Sequence, residues 1–175
     1  DISDLKRVEE ELRALSVTDS LTGIHNRRYF QERLKAELER AQRDQVDLAV
    51  IMLDIDHFKR INDQFGHAMG DRVLQNLCQR ISQRLRRTDV FCRLGGEEFM
   101  VLCPGSNAEQ AHALASELWH GLRSVPVEGV GIVTASFGIA GWRPGEGADA
   151  LLLRADSGVY AAKQGGRDRV ESELE

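Results

Sequence analysis

The chain has 175 residues, 42% of them hydrophobic, which suits one domain with an ordinary buried core. Its 28 Asp and Glu against 23 Lys and Arg leave a net charge of −5, which argues against sequence-independent nucleic-acid binding, since that draws on a basic face. The longest uninterrupted apolar run, Leu48–Leu53, is far too short to cross a bilayer, and no signal peptide opens the chain. The three cysteines, Cys78, Cys92 and Cys103, sit in apolar stretches without CxxC spacing, which reads as reduced core thiols of a cytoplasmic protein. No direct membrane contact is expected. The chain begins at Asp1 without a methionine, so the expectation is a fragment of a longer protein.

Leu5, Val8, Leu12 and Leu15 recur at three- and four-residue steps within Asp1–Ser16. This two-heptad seam fits either a coiled-coil stalk or an amphipathic helix packed on its own domain. Domain organisation is therefore expected as a stalk over residues 1–16 and a globular unit over 17–175. Thr18–Asn26 reads as a loop in which Asp19 and Thr22 cap and Gly23 turns. Arg27–Arg43 is expected as a helix with Phe30, Leu34, Leu38 and Ala41 on one face, and Leu48–Ile55 as a strand covered on both sides. A helical turn at Phe58–Phe65 and a helix from Asp71 to about Leu85 follow. Val90–Leu94 and Phe99–Cys103 read as two strands joined by a glycine turn. Ala108–Leu122 is expected as a helix, Val130–Ile139 as a strand, Gly141–Gly147 as a loop, Ala148–Gln164 as a helix and Arg169–Glu173 as an edge strand. The direct hairpin among alternating helices and strands predicts an α+β fold with a mixed sheet.

Acids collect where these strands end: Asp54 and Asp56 after one apolar run, Glu97 and Glu98 beside Gly95 and Gly96. Oxygen ligands at strand ends with glycines nearby suit a hard cation carrying a phosphate. The linked motifs are Asp19-Ser-Leu-Thr-Gly-Ile-His-Asn-Arg-Arg28, then Asp54-Ile-Asp-His-Phe-Lys-Arg-Ile-Asn-Asp63 continuing through Gly66-His67 and Gly70-Asp71. After them come Gly95-Gly-Glu-Glu-Phe99, Ser136-Phe-Gly138 and Ala161-Ala-Lys-Gln-Gly-Gly-Arg167. In order and separation these resemble the GGDEF family, the bacterial diguanylate cyclases, over almost all of Asp19–Arg167. Glu97 stands where the family name has aspartate, keeping the charge and adding a methylene.

The resemblance implies a central, mostly antiparallel sheet wrapped by helices, similar to polymerase palm domains and class III nucleotidyl cyclases. It implies condensation of two GTP into cyclic di-GMP and two pyrophosphates by a homodimer, with two Mg²⁺ or Mn²⁺ per active site. Asp54, Glu97 and the Ile55 carbonyl match the family's metal ligands. Glu98 is the companion acid, and Lys59 joins Glu97 and Glu98 in the catalytic set. His57 and Phe58, through their backbone, and Lys59 match the phosphate-contacting helix start, and Lys163 and Arg167 match further triphosphate contacts. Asn62 and Asp71 match the guanine-reading pair, and His67 a substrate-side position. Gly95 and Gly96 let the nucleotide approach the backbone closely. Arg86 and Asp89 match the RxxD site at which cyclic di-GMP inhibits its own synthesis. On these residues alone, Asp71 also reads as a helix cap, His67 as a packed loop histidine, and Arg86-Arg-Thr-Asp89 as a basic helix end. An upstream sensory domain or regulatory partner is expected outside the fragment, attached to the inner membrane or not. The competing function is an inactive GGDEF module that serves as a receptor for cyclic di-GMP or GTP.

Overall fold

The computed structural model of the protein describes residues 1–172, with residues 13–15 described for their backbone only. Among them, six helices and six strands follow in the order α1 (Ile2–Leu15), β1 (His25–Asn26), α2 (Arg27–Asp44), β2 (Leu48–Ile55), α3 (Phe58–Phe65), α4 (His67–Arg84), β3 (Val90–Gly95), β4 (Glu98–Pro104), α5 (Ala108–Ser124), β5 (Ala135–Gly141), α6 (Ala148–Gln164) and β6 (Arg169–Ser172). They build one sheet in the order β1-β3-β4-β2-β5-β6. The four inner strands pair antiparallel, and the two edge strands β1 and β6 pair parallel. The α+β architecture with a mostly antiparallel sheet is therefore present.

The apolar run of β2 makes it the central strand, because both of its faces can be buried without exposing polar groups. Its odd-numbered residues, Ala49, Ile51, Leu53 and Ile55, join Val73, Leu77 and Ile81 of α4 and Ala115, Leu118 and Leu122 of α5 in one core. Its even-numbered residues, Leu48 and Val50, join Phe30 and Leu34 of α2 and Leu151 and Ala155 of α6 in the other. The alternation of side chains along a strand produces these two layers. All three cysteines are buried and unbonded, and burial pushes each thiol up to about 12. No helix among the described residues is long and apolar enough to cross a membrane.

Several boundaries differ from the sequence reading. Helix α4 begins at His67, so Asp71 lies in its second turn and is not its cap, and His67 is the exposed first residue of a helix, not a loop residue. Gly70 is tolerated inside that helix because a Cβ there would sit 1.8 Å from Oδ1 of Asn62. The strand expected at Val130–Ile139 starts only at Ala135, since Gly129 and Gly131 take positive φ and Val127 bridges back to Gly131. Helix α6 does end at Gln164 as expected, and Arg167 lies beyond that end. Glu173 lies outside the described residues, as does the side chain of Leu15. Along α1, Leu5 and Leu12 are 62% and 63% exposed, so these seam positions face solvent.

Gly138, in the Ser-Phe-Gly motif, is where α6 crosses β5. A Cβ on it would meet the Ala155 carbonyl oxygen at 2.1 Å and the Val159 nitrogen at 2.4 Å, both backbone atoms. Gly138→Ala is expected to lower stability by about 1–3 kcal/mol through overpacking, read as a reduced urea midpoint. An unchanged midpoint would contradict this account of the α6–β5 contact.

Candidate active site

At the carboxyl end of β2 the apolar alternation gives way to Asp54, Ile55 and Asp56. Asp54 sits opposite Glu98 of β4 on one side and Ser136 of β5 on the other. It is 6% exposed, and its Oδ2 accepts a hydrogen bond from Nζ of Lys163 at 2.9 Å. Burial raises the Asp54 carboxyl above its ordinary value, Lys163 opposes that rise, and the negative charges of Glu97 and Glu98 add to it. A further cation beside Asp54 would favour the ionised form.

The β3–β4 turn is brought to the same place by a backbone bond, in which the Ile55 amide donates to the Glu97 carbonyl at 3.2 Å. Gly96 takes φ +53°, where glycine is favoured, and a Cβ on Gly95 or Gly96 would meet nothing within 4 Å. The surface over the turn is clear for a ligand. Glu97 is half-buried and Glu98 exposed. Helix α3 begins beside them with His57 as N-cap at φ +57° and no side-chain cap, so its first amides are left for another acceptor.

These elements enclose a cavity of about 460 Å³ whose lining includes Asp54, Ile55, His57, Phe58, Lys59, Glu97, Lys163 and Arg167. Asp56, Asp63 and Arg60 line it too, so four carboxylates and four cationic side chains meet around one space. Among the described residues no cluster of three or more His, Cys, Asp or Glu forms a closed cation cage. One or two carboxylates with the rest of the shell left to phosphate oxygens and water is what Mg²⁺ takes in nucleotide sites. The donor set fits that ion. Asn62, His67 and Asp71 do not line this cavity. They stand on the α3–α4 side, where the Asn62 carboxamide lies against Gly70 next to Asp71, its Oδ1 buried without a partner.

Arg86 and Asp89 lie elsewhere, after α4, and grip each other. The Asp89 carboxylate accepts from the Arg86 amide at 2.8 Å and from its guanidinium at 2.9 Å, and the same guanidinium donates to Ser106 Oγ at 2.8 Å.

The sequence reading missed the groups that hold the site in place. Asp56, 4% exposed, accepts from Thr134 Oγ1 at 2.7 Å, Ser136 Oγ at 2.6 Å and the Asp168 amide at 2.9 Å, so it fastens the segment after α6 to the end of β2. Arg93 donates to the Gly96 carbonyl at 2.9 Å and pairs with Asp19 at 3.3 Å. Arg27 reaches the Leu94 carbonyl at 3.0 Å, and Asn26 caps α2. The entry motif therefore braces the glycine turn. Its only sequence signal was its fixed place in the motif order.

The sequence profile described as "Diguanylate cyclase, GGDEF domain" matches residues 16–169. This chain belongs to the GGDEF family. Diguanylate cyclase DgcP of Pseudomonas aeruginosa is 43% identical over 165 residues, 93% of this chain and 25% of that protein. The GGDEF domain of DgcB from Caulobacter crescentus, solved in complex with c-di-GMP, superposes with a TM-score of 0.85 at 33% identity, covering 89% of this chain and 92% of that one. The active GGEEF domain of a diguanylate cyclase from Vibrio cholerae gives a TM-score of 0.81 at 32% identity, covering 86% and 98%. The chain spans a quarter of the length of DgcP.

The brace carries its own pH dependence. Burial raises the Asp19 carboxyl, but hydrogen bonds from Thr22 and the charge and hydrogen bond of Arg93 outweigh it and hold the group below its ordinary value. A depressed carboxylate contributes stability that is fully present above the unfolded value, about 3.9, and is lost as pH falls through the folded one. Asp19→Asn is expected to lose stability at pH 7 and to show a flatter stability curve below about pH 4. Parallel curves for the two proteins would contradict this role.

Proposed function

We propose that this GGDEF chain is a diguanylate cyclase domain that condenses two GTP into cyclic di-GMP and two pyrophosphates. The observation that carries the reading is the meeting of Asp54, Ile55 and Glu97 with Lys59, Lys163 and Arg167 around one cavity. In each half-reaction a 3′-oxygen forms a bond to the α-phosphorus of the other GTP, the bond from that phosphorus to the bridging oxygen breaks, and pyrophosphate leaves. The task of the protein is to align the nucleotides and to balance charge.

Asp54, Glu97 and the Ile55 carbonyl hold the divalent ions, and Glu98 adds negative charge beside them. Those ions supply Lewis-acid stabilisation of the phosphates and make the 3′-hydroxyl easier to deprotonate. The α3 amides after His57, with Phe58 and Lys59, bind the terminal phosphates, and Lys163 and Arg167 neutralise the leaving charge. Gly95 and Gly96 leave room for the nucleotide. Asn62 and Asp71 read guanine, whose N1–H and N2–H suit one carboxylate, and His67 stands at the substrate side. Two such domains face each other with one GTP each, and the solvent-facing seam positions of α1 fit a stalk paired with a second copy and driven by an upstream sensor.

Incubation with GTP and Mg²⁺ followed by nucleotide chromatography tests the reading. Cyclic di-GMP is expected from the unmutated chain and none from Asp54→Ala or Glu97→Ala, both folded. Synthesis by either variant, purified free of the unmutated protein, would sink the assignment. Asp71→Ala should weaken GTP binding by about 1–3 kcal/mol with the metal requirement unchanged, whereas equal competition by ATP in the unmutated chain would refute the guanine reading.

Feedback belongs to Arg86 and Asp89. Cyclic di-GMP carries phosphates for the arginine and guanine edges for the aspartate, and its binding would open the pair that these residues make with each other. Arg86→Ala should keep synthesis and accumulate more product before slowing. A progress curve identical to that of the unmutated chain would end this part of the reading.

A further inference from the structure

Just past α6, Arg167 at φ +65° and Asp168 at φ +46° take left-handed backbone in succession. Non-glycine residues pay for that conformation, and it persists where the surroundings over-determine it. The surroundings here are unusually specific. The Arg167 amide donates to the Ala162 carbonyl at 2.8 Å, and its own carbonyl accepts from Nε of Arg169 at 3.1 Å. The Asp168 amide donates to the buried Asp56. The Asp168 carboxylate accepts from Nε1 of Trp119 at 2.8 Å, and from the guanidinium of Arg123 at 3.2 Å from Nε and 3.1 Å from Nη2. Arg123 also lies over the Trp119 ring, 5.0 Å from its centroid. Trp119 and Arg123 are one turn apart on α5 and packed outside the cavity, yet both act on the residue that follows Arg167.

Fastening α5 to β6 would need no left-handed pair, and any outward residue of the edge strand would serve. The grip instead falls on Asp168, whose carboxylate and amide are both held, so the backbone next to it has little freedom. From that backbone Arg167 reaches into the cavity at the strand ends. We propose that Trp119 and Arg123 are positioning residues for phosphate recognition: by gripping Asp168 they fix the turn from which Arg167 meets a triphosphate. The proposal rests on the reading of the cavity as a triphosphate site and adds to it two residues that touch no substrate. Preorganising a cation removes the cost of ordering it at the moment of binding.

The test is calorimetric titration of the chain with inorganic triphosphate in Mg²⁺, which needs neither guanine nor turnover. Trp119→Phe keeps an aromatic ring and removes the donor, and Arg123→Gln keeps part of the stem and removes the charge. Each is expected to weaken triphosphate binding about 5–20-fold while thermal unfolding stays close to that of the unmutated chain. In an Arg167→Ala background the same substitutions should change affinity by less than about twofold, because groups acting through one residue are not additive. Unaltered affinity in a folded Trp119→Phe, or losses that multiply fully in the Arg167→Ala background, would overturn the proposal. Should the unmutated chain make no cyclic di-GMP yet show this binding pattern, the cyclase reading falls and the positioning role stands. If it binds no triphosphate, both fall.

Discussion

An ionised carboxylate at the end of a buried strand loses most of its hydration, and Asp54 is in that position, 6% exposed between two antiparallel neighbours. Lys163, from the last turn of α6, supplies a counter-charge at 2.9 Å. Burial is the larger effect and the lysine does not cancel it, and Glu97 and Glu98 add to the rise. The Asp54 charge is thereby only partly compensated at the point where the sheet ends. It favours a cation that the protein itself does not supply, and the surrounding Lys59, Lys163 and Arg167 favour the anion that such a cation would accompany.

The rest of the fold keeps that charged point in place. Both faces of β2 are packed, which leaves its end little room to move. The β3–β4 turn is set against it by the Ile55–Glu97 backbone bond and braced from behind by Asp19, Arg93 and Arg27. Asp56 does the corresponding work on the other side. Its position two residues from Asp54 invites a metal role, but its oxygens already accept three hydrogen bonds. One carboxylate of the pair is committed to structure, and the other is left for chemistry.

Where periodicity was strong, the sequence was enough. Leu48–Ile55, Ala148–Gln164 and the hairpin were legible because continuous apolar runs, helical spacing and a glycine turn each have one simple structural solution. The start of α4 was not, because Gly66-His-Ala-Met-Gly70 resembles a loop until Gly70 is seen to make room for Asn62. The start of β5 was obscured for the opposite reason, since Val130 and Ile132 look like strand while the glycines around them turn the chain. Two-residue β1 has too few residues for any pattern. In the site, the acids and lysines were legible from motif order. The Asp19–Arg93 pair, the bonds of Asp56 to Thr134, Ser136 and Asp168, and the grip of Trp119 and Arg123 on Asp168 were not, because they join elements far apart in sequence.

The central claim is that the Asp54 end of β2 holds divalent metal together with a guanosine triphosphate. Titration of Mn²⁺ into the chain in the presence of 3′-deoxy-GTP, which lacks the attacking hydroxyl, measures this without turnover when free Mn²⁺ is followed by electron paramagnetic resonance. The account predicts that about two Mn²⁺ are taken up per chain with the nucleotide present, and that a folded Asp54→Ala loses this uptake. Equal uptake by Asp54→Ala and the unmutated chain would contradict it.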